Sequence, residues 1–398
     1  MTTSSIDRLY RDHAPGITAR LLAVFGARHL EIIDSAVQEA LALALATPDD
    51  SSESREARLV ATARRGVIAA LGRLELPAPE AGEEPARSPA VADRERLLAL
   101  LVCAHPVVPA DLAMPLVLRT VCGFSLTALS RALAVELSEV IARLATARQL
   151  VRDHNIELHP GDEISVRVTS LLATLNKIFL EGYNATDGAK PADEDLCSAA
   201  IGLLDRILAS PHATPESRAL QAMFLLNRSR ASTRLDANGD VVPLHRQDRT
   251  RWDTAMIQRG LDLLEESTRD AVLSVFHLEA AVAAVHARAT TYEQTDWARI
   301  VQLYDRLLEL QPSPVAALHR AIAIGRANGP REGLLALEAL SGEPRLEASS
   351  ELAAAAADLE AQLGEIRTAR ASYRRALELC MTDVERRFIT KKLDELMD

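Results

Sequence analysis

The stretch LTALSRALAVELSEVIARLATARQLVR, residues 126–152, decides how the first third of the chain folds. Leu126–Ala134 reads as a short helix. Val135, Glu136 and Leu137 read as a turn, and Ser138 as the cap of a longer second helix with Glu139 near its positive end. Arg143, Arg148 and Arg152 lie along that second helix. Arg148 and Arg152 share a face, and Arg143 lies about 140° from Arg148 on an ideal helix. Residues 97–152 carry five arginines and three acids. A basic second helix of this kind can enter a DNA major groove. The other reading is a structural hairpin whose arginines face water.

Working outward, nearly everything reads as helix. Ala, Leu, Arg and Glu dominate, and aromatic residues are 3% of the chain. These are strong helix formers, and no stretch sustains the alternation that a strand needs. The expected fold class is all-α. The 398 residues exceed one compact core. Four prolines in LPAPEAGEEPARSPA (76–90) mark a non-helical tether. The expected division is a helical domain at 1–75, a Pro-rich linker at 76–91, a helix-turn-helix domain at 92–153 and a helical domain at 160–398.

Charge separates these parts. The net charge is −11 overall, −2 over residues 1–155, which contain no lysine, and −9 over the remainder. An acidic C-terminal half argues against nonspecific nucleic-acid binding and leaves room for a smaller N-terminal basic patch. The longest stretch without a charge, Leu97–Ala110, is too short to span a bilayer. MTTSSIDRLYRDHAPG lacks the apolar core of a secretory leader. Cys103, Cys122, Cys197 and Cys380 form no metal-binding spacing. A reduced, cytoplasmic protein without a membrane partner is the expectation.

The last 120 residues hold a loose repeat. Tyr304 precedes Leu307, Leu308 and Pro312. Tyr373 follows Leu363-Gly364 and Ala369 and precedes Ala376-Leu377, and Gly329-Pro330 turns between them. A period near 34 with small, aromatic and small residues on one helix reads as tetratricopeptide-like (TPR-like) hairpins. An irregular helical domain is the alternative. No nucleophile elbow, zinc-protease helix or phosphate loop occurs, so an enzyme is not favoured and no catalytic residue or cofactor is assigned. His154, Glu157 and His159 sit in an expected loop, and no metal site is drawn from them.

The order of segments resembles RNA polymerase sigma factors of the extracytoplasmic-function type, within the sigma-70 family, that carry a TPR-like C-terminal extension. DSAVQEA (34–40) is similar to the helix that grips the polymerase clamp. ATARRGVIAALGR (61–73) resembles a region 2 helix, and residues 97–135 resemble the start of region 4. LNKIFLEGYNAT (175–186), QDRTRWDTAMIQRG (247–260), residues 279–305 and PSPVAALHRAIAI (312–324) resemble segments of the extension.

The resemblance implies core RNA polymerase as a partner through Asp34, Gln38 and Glu39. It implies promoter DNA as a partner through Arg143, Arg148, Arg152, Arg64 and Arg65. It also implies control of transcription initiation by the C-terminal domain. Two departures weaken the DNA role. Residues 45–53 carry three acids and no aromatic to hold an unpaired base. The second helix has Thr146, Gln149 and Leu150 where the family is basic. The competing reading is a sigma-derived protein that has lost promoter recognition and serves in ligand binding, scaffolding or catalysis.

Glu181, Tyr183, Asn184, Asp248, Arg251, Trp252, Asp253, His286, Asp296 and Trp297 are polar or aromatic beyond what hairpin packing needs. They form a candidate pocket for a peptide or small ligand. The alternative is a buried network in which Asp253 pairs with an arginine, His286 bonds a carbonyl and the tryptophans are core.

Overall fold

The computed structural model describes residues 3–46, 55–76, 88–184, 193–269, 272–380 and 382–396. Among the described residues there are eighteen α-helices and five short 3-10 turns, and the only β contact is an isolated bridge between Leu235 and Val241. The protein is all-α. It divides into two compact units, Met1–Leu180 with Ser198–His212, and Glu181–Cys197 with Ala213–Asp398. The expected helical domain, helix-turn-helix domain and start of the third domain therefore fall in one unit. The Pro-rich 77–87 and the acidic 49–53 lie outside the described residues.

The first unit begins with α1 (Thr3–Phe25), α2 (Leu30–Ala46) and α3 (Arg55–Arg73). Ile33, Ala36, Val37, Ala40 and Leu41 on α2 are buried. So are Leu59, Val60, Ala63, Val67 and Leu71 on α3. Both sets follow the helical spacing, and the two helices pack on each other. Gly66 lets α3 come close, since a Cβ there would sit 3.2 Å from the Ala36 Cβ.

Next come α4 (Pro89–Cys103), α5 (Ala110–Thr120), α6 (Leu126–Ala132) and α7 (Leu137–Asp153). Ser88 caps α4, and Ser125 caps α6 by accepting from the Ala128 N–H at 3.0 Å. Val140, Leu144, Ala147 and Val151 form the buried stripe of α7, which packs on α5 and α6. The chain reversal comes earlier than a cap at Ser138 requires. Ala134 takes φ 49, the Val135 N–H donates to the Ser130 carbonyl at 3.1 Å, and the Ser130 hydroxyl donates to the Val135 carbonyl. Glu136 becomes the N-cap without a side-chain bond, and Ser138 lies inside the first turn.

Two further helices, α8 (Ile164–Asn184) and α9 (Glu194–Leu208), are shared between the units by this division. The second unit continues with α10 (Pro215–Arg228), α11 (Thr254–Ser267), α12 (Val275–Arg288) and α13 (Trp297–Leu310). It ends with α14 (Pro314–Asn328), α15 (Pro330–Glu338), α16 (Ser350–Gln362), α17 (Ile366–Leu379) and α18 (Asp383–Asp394). Each helix from α10 onward packs on the next, the nearest-neighbour order of helical repeats. On α17, Ala369, Tyr373 and Ala376 are all buried. Tyr373 donates its hydroxyl hydrogen to Asp358 on α16, so the ring fills a gap that the flanking alanines leave open. Tyr304 on α13 is only half-buried.

Helices α14 and α15 meet through two glycines. A Cβ on Gly333 would lie 2.6 Å from the Gly325 Cα and 2.9 Å from a Leu359 methyl. Real atoms do not approach so closely, so a side chain there must push the helices apart. Gly333→Ala is expected to cost about 1–3 kcal/mol. Both tryptophans, Trp252 and Trp297, lie in the second unit, so their fluorescence during urea unfolding reads that cost. Gly202→Ala on α9, with nothing within 4 Å of its Cβ position, is expected to leave this transition in place.

Candidate functional site

The acidic face of α2 is occupied from within the same unit. Asp34 is 9% exposed. Its Oδ1 accepts from Arg119 Nε of α5 at 3.1 Å, and its Oδ2 accepts from Arg148 Nη2 of α7 at 2.5 Å. The Gln38 amide donates to the same Oδ2 at 3.3 Å. Arg119 is buried as well, donates to the Phe124 carbonyl at 2.9 Å and lies 4.9 Å from the centre of the Tyr10 ring. One turn away on α2, Glu31 pairs with Arg152 at 3.1 Å on the surface. On α1, Asp7 pairs with Arg131 of α6 at 2.9 Å and accepts from the Ser125 hydroxyl. At these pairs the carboxylates come from α1 and α2 and the guanidiniums from α5, α6 and α7.

This geometry joins two sets of residues that the sequence placed in different surfaces. Asp34, on the face that the resemblance assigns to polymerase, bonds Arg148 of the helix it assigns to DNA, and Arg152 of that helix pairs with Glu31 one turn away on α2. Arg143 pairs with Glu139 on its own helix at 2.7 Å. The outward side of α7 shows Ala142, Ala145, Thr146 and Gln149, so no continuous basic stripe faces water. Glu39 is exposed and lines a groove of about 590 Å³ with Ile32, Ala36, Ala70 and Leu74. On α3, Arg65 is exposed with a long 3.4 Å bond to Thr62, and Arg64 is half-buried.

In the second unit, much of the expected pocket is helix-end chemistry. Asp253 caps α11 by accepting from the Met256 N–H at 2.9 Å. Asp296 caps α13 through the Arg299 N–H at 2.9 Å. Asp248 accepts from the Thr250 N–H and hydroxyl at the start of a 3-10 turn. Each carboxylate satisfies an amide that the helix leaves without a partner. Asp253 therefore serves an amide, where the buried-network alternative pairs it with an arginine. Arg251 is exposed and reaches the Ser232 carbonyl at 3.4 Å. Glu181 is half-buried. The side chain of Asn184, at the end of α8, lies outside the described residues.

The remaining polar groups pack round Arg230, Arg234 and Arg249. Trp252 is 5% exposed and donates its indole N–H to Thr233 at 3.0 Å. Arg249 lies over that ring at 4.8 Å and donates to the carbonyls of His286 and Ala289, both at 2.7 Å. It thus closes the C-terminal end of α12, where the helix dipole favours a cation. His286 meets Trp297 edge-on at 5.3 Å, and its Nδ1 has no partner. Burial, then the charges of Arg230 and Arg249, pulls His286 down to about 4. Tyr183 is buried, accepts from Arg230 on its hydroxyl at 2.8 Å and carries Arg234 3.7 Å above its ring.

A second titrating cluster lies on α12, α13, α14 and α16. His319 Nε2 meets Glu351 Oε1 at 3.1 Å, and the Tyr304 ring lies 6.1 Å from His319. Burial pushes Glu279 up to about 7, against the weaker pull of His319. Burial also lowers His319, but the hydrogen bond and charge of Glu351 outweigh it and the net shift is upward. Glu279, Tyr304 and His319 fall in the segments 279–305 and 312–324 that resemble the extension, and Glu351 lies outside them. Among the described residues no group of His, Cys, Asp or Glu could hold a metal ion, and no helix is long and apolar enough to cross a membrane.

Comparison with known proteins gives this chain relatives. Residues 167–268 match the model of a family of unknown function, DUF6596. The uncharacterized protein R00370 of Rhizobium meliloti (strain 1021) is 37% identical over 306 residues, which span 76% of this chain and 72% of that one. The chain belongs to the family of that protein. The stretch 167–268 holds Tyr183, Arg230, Arg234, Arg249 and Trp252, so the arginine–aromatic contacts fall largely within the matched segment.

Glu279 gives a pH signature with a definite sign. Folding raises its pKa from 4.5 to about 7. The folded protein then holds a proton that the unfolded chain releases, and this contribution to stability is lost as pH rises from 4.5 through 7. His286 acts oppositely: its folded pKa is depressed, so its contribution is lost as pH falls from 6.5 through 4. Glu279→Gln is expected to stabilise the second unit on the order of 1–3 kcal/mol at pH 8 relative to its effect at pH 4.5. Tryptophan-detected urea unfolding at both pH values checks this, and an equal effect at both would contradict it.

Proposed function

We propose that the chain is a sigma-factor-like transcription initiation protein. In this reading α1–α3 engage core RNA polymerase through the α2 face of Asp34, Gln38 and Glu39. Helices α4–α7 engage promoter DNA with α7 as the recognition helix, and the second unit carries regulatory input. The observation that supports the reading most is the pair α6–α7, with a basic second helix, at the end of a helical run ordered as the resemblance requires. A reduced, cytoplasmic location follows from the same role.

One observation favours the second reading, a sigma-derived protein without promoter recognition that binds a ligand or partner through its second unit. All three arginines of α7 are in intramolecular ion pairs. Phosphate contacts supply most of the affinity for DNA and its salt dependence, and arginines already paired must exchange partners to make them.

The two readings separate in one assay. Purified full-length protein is mixed with core polymerase at low salt, run by size exclusion, and tested for transcription from the promoters it enriches. Comigration with core and promoter-dependent transcripts are expected, and Arg148→Ala with Arg152→Ala should reduce transcript yield at least about tenfold. No comigration at low salt would sink the sigma-like role and leave the second reading.

A further inference from the structure

We propose that the charged seam between α1–α2 and α5–α7 is an autoinhibitory latch. The free protein holds the arginines of α7 on the carboxylates of α2, and DNA phosphate must displace those carboxylates before α7 can bind.

Three features make this contact a latch rather than a fixed core. The first is its polarity. Asp7, Glu31 and Asp34 on α1 and α2 meet Arg131, Arg152 and Arg148 on α6 and α7. Replacing one set of anions with another, the phosphates of a duplex, keeps every guanidinium paired. The second is redundancy at Asp34. This carboxylate has two guanidinium partners, and Arg119, the more deeply buried, stays on it with its own bond to Phe124. Departure of Arg148 therefore leaves no buried charge alone, so the cost that normally makes buried ion pairs hard to break is avoided. The third is incomplete satisfaction of Arg148. Its Nε–H is buried without a partner in the closed contact, a penalty that release to water or phosphate removes.

The seam also grades from inside to outside. Arg148 is 15% exposed at its side chain, Arg152 48% and Arg131 68%. The outer pairs are screened by salt and exchange easily, while the inner one holds register. By reciprocity, a partner that takes the α2 face weakens the hold on α7 and raises its affinity for DNA by the same factor. DNA as the displacing anion, and this consequence, rest on the sigma-like reading.

The test uses the full-length chain. Cysteines placed at Ser35 on α2 and Gln149 on α7, both exposed, carry spin labels for a pulsed dipolar distance measurement. Burial raises all four native thiols, Cys103 and Cys122 to about 12 and Cys197 and Cys380 to about 11, so they react slowly. The distance is read in the labelled parent, in Asp34→Asn and in the double variant D7N/E31Q, whose acids lie on the outer pairs and spare the core if Asp34→Asn fails to fold. Affinity for a 30-base-pair duplex is read by fluorescence anisotropy against Glu157→Gln, which removes one exposed negative charge elsewhere.

A longer-distance population in the variants, with DNA affinity raised about tenfold over the control, is expected. Lengthening without a change in DNA affinity overturns both the latch as a brake on DNA binding and DNA as the partner of α7. An unchanged distance in both variants overturns the latch.

Discussion

A carboxylate withdrawn from water needs cations, and Asp34 draws them from two other helices. Its oxygens fix Arg119 of α5 and Arg148 of α7 at hydrogen-bond distance, which sets how α7 lies against α2. The apolar stripes of α2 and α7 determine which faces are buried; this ion triad sets register along them. A buried pair is rarely a large net source of stability, because desolvation offsets the attraction. Its value lies in specificity: only one axial position of α7 puts Arg148 on Asp34 and Arg152 on Glu31 together.

The second unit uses charge differently. Its carboxylates at 253 and 296 close helix N-termini, and Arg249 closes the C-terminal end of α12. Cations gather round Tyr183 and Trp252, with aromatic faces and carbonyls as partners. That environment lowers His286, while burial elsewhere raises Glu279 to about 7. The unit therefore holds one base kept neutral and one acid kept partly protonated near neutral pH, on helices whose packing is serial.

Helix content and the α6–α7 pair were legible because they depend on local spacing and local hydrogen bonding. So was the buried Ala369–Tyr373–Ala376 face, since small and large residues must alternate where helices approach. The pairing of Asp34 with Arg119 and Arg148 was not legible. Those partners are 85 and 114 residues away, and a face of i, i+4 acids looks the same whether it meets solvent or an arginine. Asp248 and Asp253 looked like pocket residues because a capping aspartate and a ligand-binding one carry the same side chain. Arg249, in the same run, ties that segment to α12 through the carbonyls of His286 and Ala289.

The double-mutant cycle of Asp34→Asn with Arg148→Gln, read as urea unfolding of the full-length protein by far-ultraviolet circular dichroism, probes the seam most directly. A closed seam gives the two substitutions a coupling of about 1–3 kcal/mol, with the pair together costing less than the sum of each alone. Strict additivity would mean that Asp34 and Arg148 do not touch in solution, and α2 and α7 would then present two independent surfaces.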